Sequence, residues 1–264
     1  MGRPAGFLYS EPVMGLKVAA LMSGEPGPLE LWTLRNMASA ACEVSVLQAA
    51  PAAAARTRGL VSALSRAIGS RIAALDREIL KELFDFDDLH EWWTMSGIPR
   101  VGVPSLDHAQ ARTALASLAP DVIVRLSESG PAAPLHEFAR IAALNVHHAH
   151  GGIPWGLAEG KRDWIGAAIQ VDGPGQRGVL WRGAPQLAPG DTNVDLLFRA
   201  HLEAAQALAK ILRAYASGAF PAPVPASGDV AAFGSASGLA AWIKFLRLDR
   251  GRRARVLIER ALEC

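Results

Sequence analysis

Short apolar runs of strand length alternate with segments of helical periodicity along most of this chain. Residues 16–22 (LKVAALM) form the first run, and a Ser/Gly/Pro turn follows over 23–27. Pro28 then suits the first turn of a helix, and residues 44–47 form the next apolar run. Because fully buried parallel strands read as continuous apolar runs, this opening predicts a doubly wound α/β sheet.

The same alternation continues toward the middle of the chain. Further strands are predicted over 101–104, 120–126 and 144–146. Asp107 is expected to cap a helix that runs to residue 118, and a short helix is expected over 134–142. Ligands of such sheets bind at the carboxyl ends of the strands. The candidate binding loops are therefore 23–27, 127–131, 147–152 and 172–178.

Two segments depart from the alternation. Residues 56–96 carry apolar side chains at helical spacing, which predicts a helical insertion packed on the sheet or, alternatively, a surface for a partner protein. That stripe consists of Leu60, Leu64, Ile68, Ile72, Leu75, Ile79 and Leu83. Beyond a long helix over about 194–216, residues 217–264 form a Pro/Gly-rich linker and a basic helical tail. We expect residues 1–216 to form one α/β domain, with 56–96 or the tail available for a homodimer or a partner protein.

Charge and cysteine usage exclude several classes of protein. The 264 residues include 27 Lys and Arg against 25 Asp and Glu, so a nucleic-acid binder is not expected. Two cysteines cannot form a disulfide framework or a cysteine-rich zinc site, and their scarcity fits a reducing cytoplasm. No uninterrupted apolar stretch is long enough to predict a membrane span.

The stretch Asn145-Val146-His147-His148-Ala149-His150 carries the most chemical information. On a strand, Asn145 and His147 point to the same face, so both side chains would meet one cleft. An amide donor beside an imidazole can stabilise the oxyanion that forms when an amine attacks a carbonyl. A metal site is less favoured, because His147 and His148 would face opposite sides of the strand. A histidine-rich surface loop remains the non-functional alternative.

On these residues the chain resembles the formyltransferase family of glycinamide ribonucleotide transformylase and methionyl-tRNA formyltransferase. That family carries an Asn-x-His motif at the end of a strand, which Asn145 and His147 match, and Gly152, Pro154 and Trp155 resemble its sequel. Residues 120–124 (PDVIV) are similar to the family's Pro-Asp strand. The resemblance extends over residues 16–216 at low identity.

The resemblance implies a Rossmann-like fold, 10-formyltetrahydrofolate as the formyl donor and an amine as the acceptor. It implies that Asn145 and His147 stabilise a tetrahedral oxyanion while an aspartate pairs with the histidine. Gln176 stands at the family's aspartate position, and Asp172, four residues upstream, is the alternative carboxylate. A glutamine accepts a hydrogen bond but cannot balance an imidazolium charge.

Binding residues are also implied by the resemblance. The donor is expected at Leu126, Ser127, Gly130, Val171, Gly173 and Gly175. The acceptor is expected at Ser23, Gly24 and Gly27, where the family has a phosphate loop, and at His148, His150 and Gly152. Pro26 and Pro28 remove backbone donors from that loop, so a tight strand-to-helix turn is the competing interpretation.

Three functional hypotheses follow. The first is an N-formyltransferase of the EC 2.1.2 type, with an altered catalytic set, that acts on a small-molecule amine. The second is a degenerate member that binds folate or serves as a scaffold, because Gln176 replaces the expected acid. The third is another acyl transfer, or hydrolysis of the donor, in the same pocket. A carboxylate within hydrogen-bond range of His147 would favour the first.

Overall fold

The computed structural model describes residues 15–40, 42–51, 71, 74–126, 135–148, 167–173, 176–186, 188, 191–224, 243–244 and 246–247. The described elements form one seven-stranded sheet with helices on both faces. The strands are β1 (Lys17–Ser23), β2 (Glu43–Ala49), β3 (Arg100–Val103), β4 (Val122–Arg125), β5 (Ala142–His148), β6 (Ala167–Gly173) and β7 (Gln176–Gly183). The helices are α1 (Pro28–Ala38), α2 (described over 74–83), α3 (Phe86–Met95), α4 (Ala109–Leu118) and α5 (Asn193–Ala216), with a short 3-10 turn at Leu135–Phe138.

The strand order is β3-β2-β1-β4-β5-β6-β7. The first five strands of that order are parallel, and β6 and β7 are antiparallel to their neighbours. The reversal of order between β1 and β4 is the feature that defines a doubly wound sheet. The prediction of a Rossmann-like, mostly parallel sheet is therefore confirmed.

Two apolar layers cover the two faces of the sheet. One face packs against α1, α2, α3 and α5, and Tyr215, Leu34, Leu89 and Leu144 are among its fully buried side chains. The other face packs against α4 and the 3-10 turn, which bury Leu115 and Leu135. Successive residues of each strand alternate between these faces. We call the second face the α4 face.

The carboxylate of Asp121 joins three parts of the fold at the start of β4. Its Oδ2 accepts a hydrogen bond from the Lys17 backbone N–H at 2.9 Å, and its Oδ1 accepts one from Arg140 Nε at 2.6 Å. The Asp121 side chain is 9 % exposed. These bonds connect the beginnings of β1, β4 and β5, so they fix the amino-terminal edge of the sheet.

The buried stripe of the helical insertion differs from the prediction. Leu75 and Leu83 are exposed, whereas Asp76, Leu80 and the following Phe84 are buried against the sheet layer. Ile79 of the predicted stripe is half-buried and packs against the same layer, so the helical periodicity is confirmed, but the buried side is displaced toward Asp76, which accepts a hydrogen bond from Asn193. Residues 60, 64, 68 and 72 of the predicted stripe lie outside the described residues.

Two predicted helix boundaries were also wrong. His108, not Asp107, caps α4, because its Nδ1 accepts the Gln110 backbone N–H. The helix predicted over 134–142 shortens to the 3-10 turn, because Ala142 already pairs with Val122 as the first residue of β5. By contrast, Pro28 begins α1 and Thr192 caps α5, so the starts of those helices match the sequence pattern.

The outer edge of the sheet is partly covered by residues that follow α5. Val224 pairs with Val179 of β7 through two backbone hydrogen bonds. Gly178 lies beside this contact with a φ of +156°, and a Cβ there would collide with the Val224 carbonyl oxygen. The rest of the linker and most of the basic tail lie outside the described residues. No helix in the described part of the chain is long and apolar enough to cross a membrane.

Candidate functional site

Three adjacent strands place polar side chains side by side on the α4 face. Arg125 at the end of β4 is the register partner of Asn145 on β5, and Asn145 is the partner of Gln170 on β6. Their strand neighbours Val124, Leu144, Val146, Ile169 and Val171 are buried in the opposite layer, so the polar residues must point the other way. We call Arg125, Asn145, His147 and Gln170 the polar row. It lies toward the carboxyl ends of β4 and β5, where doubly wound sheets bind ligands.

His147 is held by the amide of Gln170. The distance from His147 Nε2 to Gln170 Oε1 is 2.8 Å. Since an amide oxygen only accepts, the proton of the neutral imidazole lies on Nε2 and its lone pair on Nδ1. Burial lowers the pKa of His147 below its usual 6.5, the Gln170 hydrogen bond raises it, and the nearby Arg125 charge lowers it. The ring is therefore neutral near pH 7, and its Nδ1 can accept a proton.

Arg125 is a half-buried cation for which the described residues provide no counter-ion. Among the described residues, no carboxylate, carbonyl or hydroxyl accepts a hydrogen bond from its guanidinium. Burial lowers the pKa of Arg125, yet an arginine keeps its proton at neutral pH. Its charge acts on His147, so the guanidinium and the imidazole belong to one electrostatic site.

The amide of Asn145 is incompletely satisfied. Its Oδ1 is buried and accepts no hydrogen bond. A buried amide oxygen without a donor costs about 1–3 kcal/mol, so such atoms occur mainly where a ligand or water completes the network. Asn145 and His147 share one face of β5, as the sequence predicts. The pair thus combines an amide and a neutral imidazole in one place.

Neither Asp172, the alternative carboxylate, nor Gln176, at the family's aspartate position, lies beside His147 in the strand register. Asp172 is opposite Ala143 on β5, whereas His147 is opposite Ala168, so roughly 13 Å of strand separates the two positions. Asp172 Oδ2 is instead 3.2 Å from Nδ1 of His136 in the 3-10 turn. Gln176 pairs with Gly173, one residue further from His147. Residues 172–173 and 176–178, expected in a loop, instead belong to the paired strands β6 and β7, beside the amino-terminal end of β5.

The described donor-binding residues do not surround the polar row. The side chains of Leu126 and Val171 are buried in the opposite layer. Gly173 ends β6 against the backbone of Ile141. Ser127, Gly130 and Gly175 lie outside the described residues. The side chains of this set that can be located therefore do not line the polar row.

The first loop is closed to anions by the chain itself. Glu30 Oε2 accepts the Gly27 backbone N–H at 3.0 Å, and Pro28 has no N–H to offer. Gly24 turns the chain with a φ of +75° and donates its N–H to the Ala49 carbonyl, while Ser23 ends β1. Burial raises the pKa of Glu30, although the backbone N–H groups that it accepts offset part of that shift. A carboxylate thus occupies the helix terminus, which favours the tight strand-to-helix turn over the phosphate loop that the resemblance implies.

The remaining expected residues cannot be placed in the site. His148 is the last residue of β5, and nothing is described of its side chain. His150 and Gly152 lie outside the described residues. Within the described ranges, no group of three or more His, Cys, Asp or Glu side chains is arranged to hold a metal ion.

Sequence reasoning missed Arg125 and Gln170. Each is a polar residue inside an apolar strand, in Val-Ile-Val-Arg and Ala-Ile-Gln-Val. In each strand the neighbouring residues are buried in the opposite layer, so the polar side chain points to the α4 face. That signal was available in the sequence, but the pairing of β6 with β5 was needed to see that Gln170 meets His147.

The fold and this site define a Rossmann-like α/β protein with a polar row suited to carbonyl chemistry. The chain is similar to several solved structures of formyltransferases. One is a sugar N-formyltransferase from Shewanella sp FDAARGOS_354, with 11 % identity, a TM-score of 0.49 and coverage of 88 % of this chain and 87 % of that one. Another is a 4-N formyltransferase from Francisella tularensis, with 10 % identity, a TM-score of 0.49 and coverage of 80 % and 74 %.

A third similar structure is the phosphoribosylglycinamide formyltransferase from Brucella melitensis, with 16 % identity, a TM-score of 0.45 and coverage of 77 % of this chain and 96 % of that one. All three are formyltransferases, the family that the Asn145-x-His147 segment resembles. No family model and no curated protein matches the sequence. Likenesses at this distance carry no argument about substrate or catalysis, so the proposal below rests on the polar row.

Proposed function

We propose that the protein transfers a formyl group to a small-molecule amine at the polar row, with a 10-formyltetrahydrofolate-type donor as its first candidate. The observation that carries the proposal is the pairing of Asn145 with a neutral His147 on one face of β5, at the carboxyl end of the strand. That combination supplies what acyl transfer to an amine requires. One group stabilises the oxyanion, and the other accepts a proton.

The proposed reaction is addition of the amine to the formyl group, followed by loss of the donor. The amine nitrogen attacks the formyl carbon, and the carbonyl oxygen becomes an oxyanion that the Asn145 amide N–H stabilises. His147 Nδ1 takes the proton that the amine loses, while Nε2–H stays on Gln170 Oε1. The same proton passes to the leaving group as the carbon–donor bond breaks. The products are the N-formyl compound and the protonated carrier.

A second candidate function follows from the partner of His147. An amide at Gln170 holds the ring but does not stabilise its protonated form as a carboxylate would. Loss of an acid–base partner typically costs about 10²–10⁴ in rate. We therefore keep a folate-binding or scaffold protein with little turnover as the alternative.

The deciding experiment compares wild type with Asn145→Ala/His147→Ala. Calorimetric titration with a stable 10-formyltetrahydrofolate analogue measures donor binding, and a screen of small amines measures formyl transfer. We expect transfer by wild type and a loss of about 10²–10⁴-fold in the double variant. Asn36→Ala/His90→Ala makes the same substitutions in α1 and α3, away from the polar row, and should keep full activity.

The combined result separates the candidates. Transfer that survives in Asn145→Ala/His147→Ala would contradict a catalytic role for the pair. Analogue binding without transfer to any amine would favour the folate-binding alternative. No binding of the analogue would exclude a folate donor, and other acyl donors would then be screened against the same variants.

A further inference from the structure

The strongest unexplained feature of the site is the charge of Arg125. A half-buried guanidinium beside a neutral imidazole is an incomplete arrangement, because no described residue supplies an anion to the guanidinium. Burying a charge is unfavourable unless it is paired. The other charged groups on this face do not fill the gap, since Asp172 pairs with His136 and Arg182 is a further cation, exposed on β7.

The loop before α1, where the resemblance implies a phosphate-binding site, offers no alternative place for an acidic group. Glu30 occupies the Gly27 N–H, and Pro28 offers none. A substrate with an acidic group would therefore gain nothing at α1 and would meet a carboxylate there. Arg125 lies on the carboxyl side of the sheet, has no carboxylate partner among the described residues, and is the register partner of Asn145.

We propose that Arg125 binds a carboxylate or phosphate group of the acceptor amine, beside Asn145 and His147. This inference rests on the proposed function in that it identifies the bound molecule as the formyl acceptor. Binding of an anion at Arg125 does not itself depend on formyl transfer. A guanidinium binds either group through two parallel N–H···O bonds. Because Arg125 and Asn145 are direct cross-strand partners, the acidic group of the substrate lies a few bonds from its reacting nitrogen.

Binding of a simple anion tests the site without any assay of transfer. The probes are sodium acetate and inorganic phosphate, added at constant ionic strength, and the readout is the NMR titration of the His147 ring. The His147 resonance is identified by its loss in His147→Gln. In wild type, an anion on Arg125 offsets the positive charge that acts on the imidazole, so the pKa of His147 should rise with anion concentration to a plateau. The anion with the lower half-saturation concentration identifies the substrate group as carboxylate or phosphate.

Substitutions at Arg125 give the matched comparison. Arg125→Met removes the charge at similar length, and it should raise the pKa of His147 by itself and weaken anion binding at least tenfold. Arg125→Lys keeps the charge without the planar fork and should bind with intermediate affinity. Arg112→Met removes an exposed arginine from α4 and should behave as wild type. Chemical shifts of the other histidines verify that each variant is folded.

Two outcomes would overturn the inference. One is a His147 resonance that responds to neither anion, and the other is an Arg125→Met variant that responds as wild type does. If the anion binds but no amine is formylated, the anion site stands and the proposed function fails. If amines that carry a carboxylate or phosphate are formylated at undiminished kcat/KM in Arg125→Met, the proposed function stands and the anion site fails.

Discussion

Burial keeps His147 neutral by lowering its pKa, and the hydrogen bond to Gln170 offsets only part of that effect. An amide oxygen accepts the Nε2 proton but adds no negative charge, while burial and Arg125 both disfavour the imidazolium. His147 is consequently a base that is ready at neutral pH rather than a charged partner. The acid limb of any activity that uses it should lie below pH 6.5, because activity needs the neutral ring and the pKa is lowered.

Replacing Gln170 with glutamate should favour the protonated form of His147. A carboxylate next to Nε2 stabilises the imidazolium, so Gln170→Glu should raise the pKa of His147 by about 1 unit or more. The acid limb of kcat/KM should move to higher pH by the same amount. The ring titration is measured by NMR and the limb by transfer rate.

Two controls separate this effect from a general change of charge. Gln110→Glu adds the same charge to an exposed position of α4 and should leave His147 unchanged because solvent screens it. Gln170→Leu removes the acceptor and should lower the pKa of His147. An unshifted His147 in Gln170→Glu would show that the two side chains do not interact in solution.

At the scale of elements, the helical insertion packs by a different stripe from the one that the sequence suggests. Leu80 is 3 % exposed and lies in the layer with Phe84 and Trp93, whereas Leu75 is 56 % exposed. The two leucines lie on the same helix, so they share propensity and length and differ mainly in burial. They form a matched pair for testing the packing of α2.

Truncation of this pair should give opposite results. Leu80→Ala leaves a cavity in a packed layer and should lower the free energy of unfolding by about 2–5 kcal/mol. Leu75→Ala should change it by less than about 0.5 kcal/mol, because the side chain is already in water. Urea denaturation followed by circular dichroism measures both. Equal losses in the two variants would mean that α2 is rotated from the position described.

At the scale of the molecule, both apolar layers pack against the same sheet. Val122 and Val124 face one layer and Ile123 faces the other, so neither layer can be lost without exposing the back of the same strands. Asp121 adds hydrogen bonds that join β1 and β4 to Arg140, just before β5. We therefore expect the described domain to unfold as one cooperative unit.

Truncation of one buried leucine on each face of the sheet tests whether the domain unfolds as one cooperative unit. Leu115→Ala opens the α4 layer and Leu80→Ala opens the other, and both should shift one common transition to lower urea concentration without adding a second. The near-ultraviolet signal of the tryptophans and the far-ultraviolet signal of the backbone should coincide. Separate midpoints for the two signals, or a second transition in either variant, would show that the two layers unfold independently.

Local sequence patterns determined much of this protein. Continuous apolar runs predicted the parallel strands because both faces of such strands are buried, and Pro28 marked the start of α1 because it suits the first turn of a helix. The period of two in a strand was enough to place Asn145 and His147 on one face. None of these inferences needed contacts between distant residues.

Only the tertiary structure decided what surrounds that pair. The antiparallel register of β6 against β5 brings Gln170 to His147 and carries Asp172 away to His136, and a shift of one residue would have reversed both faces. The register of β4 likewise puts Arg125 beside Asn145. Such pairings join residues about 20 positions apart, and they depend on packing across the whole sheet rather than on any local pattern.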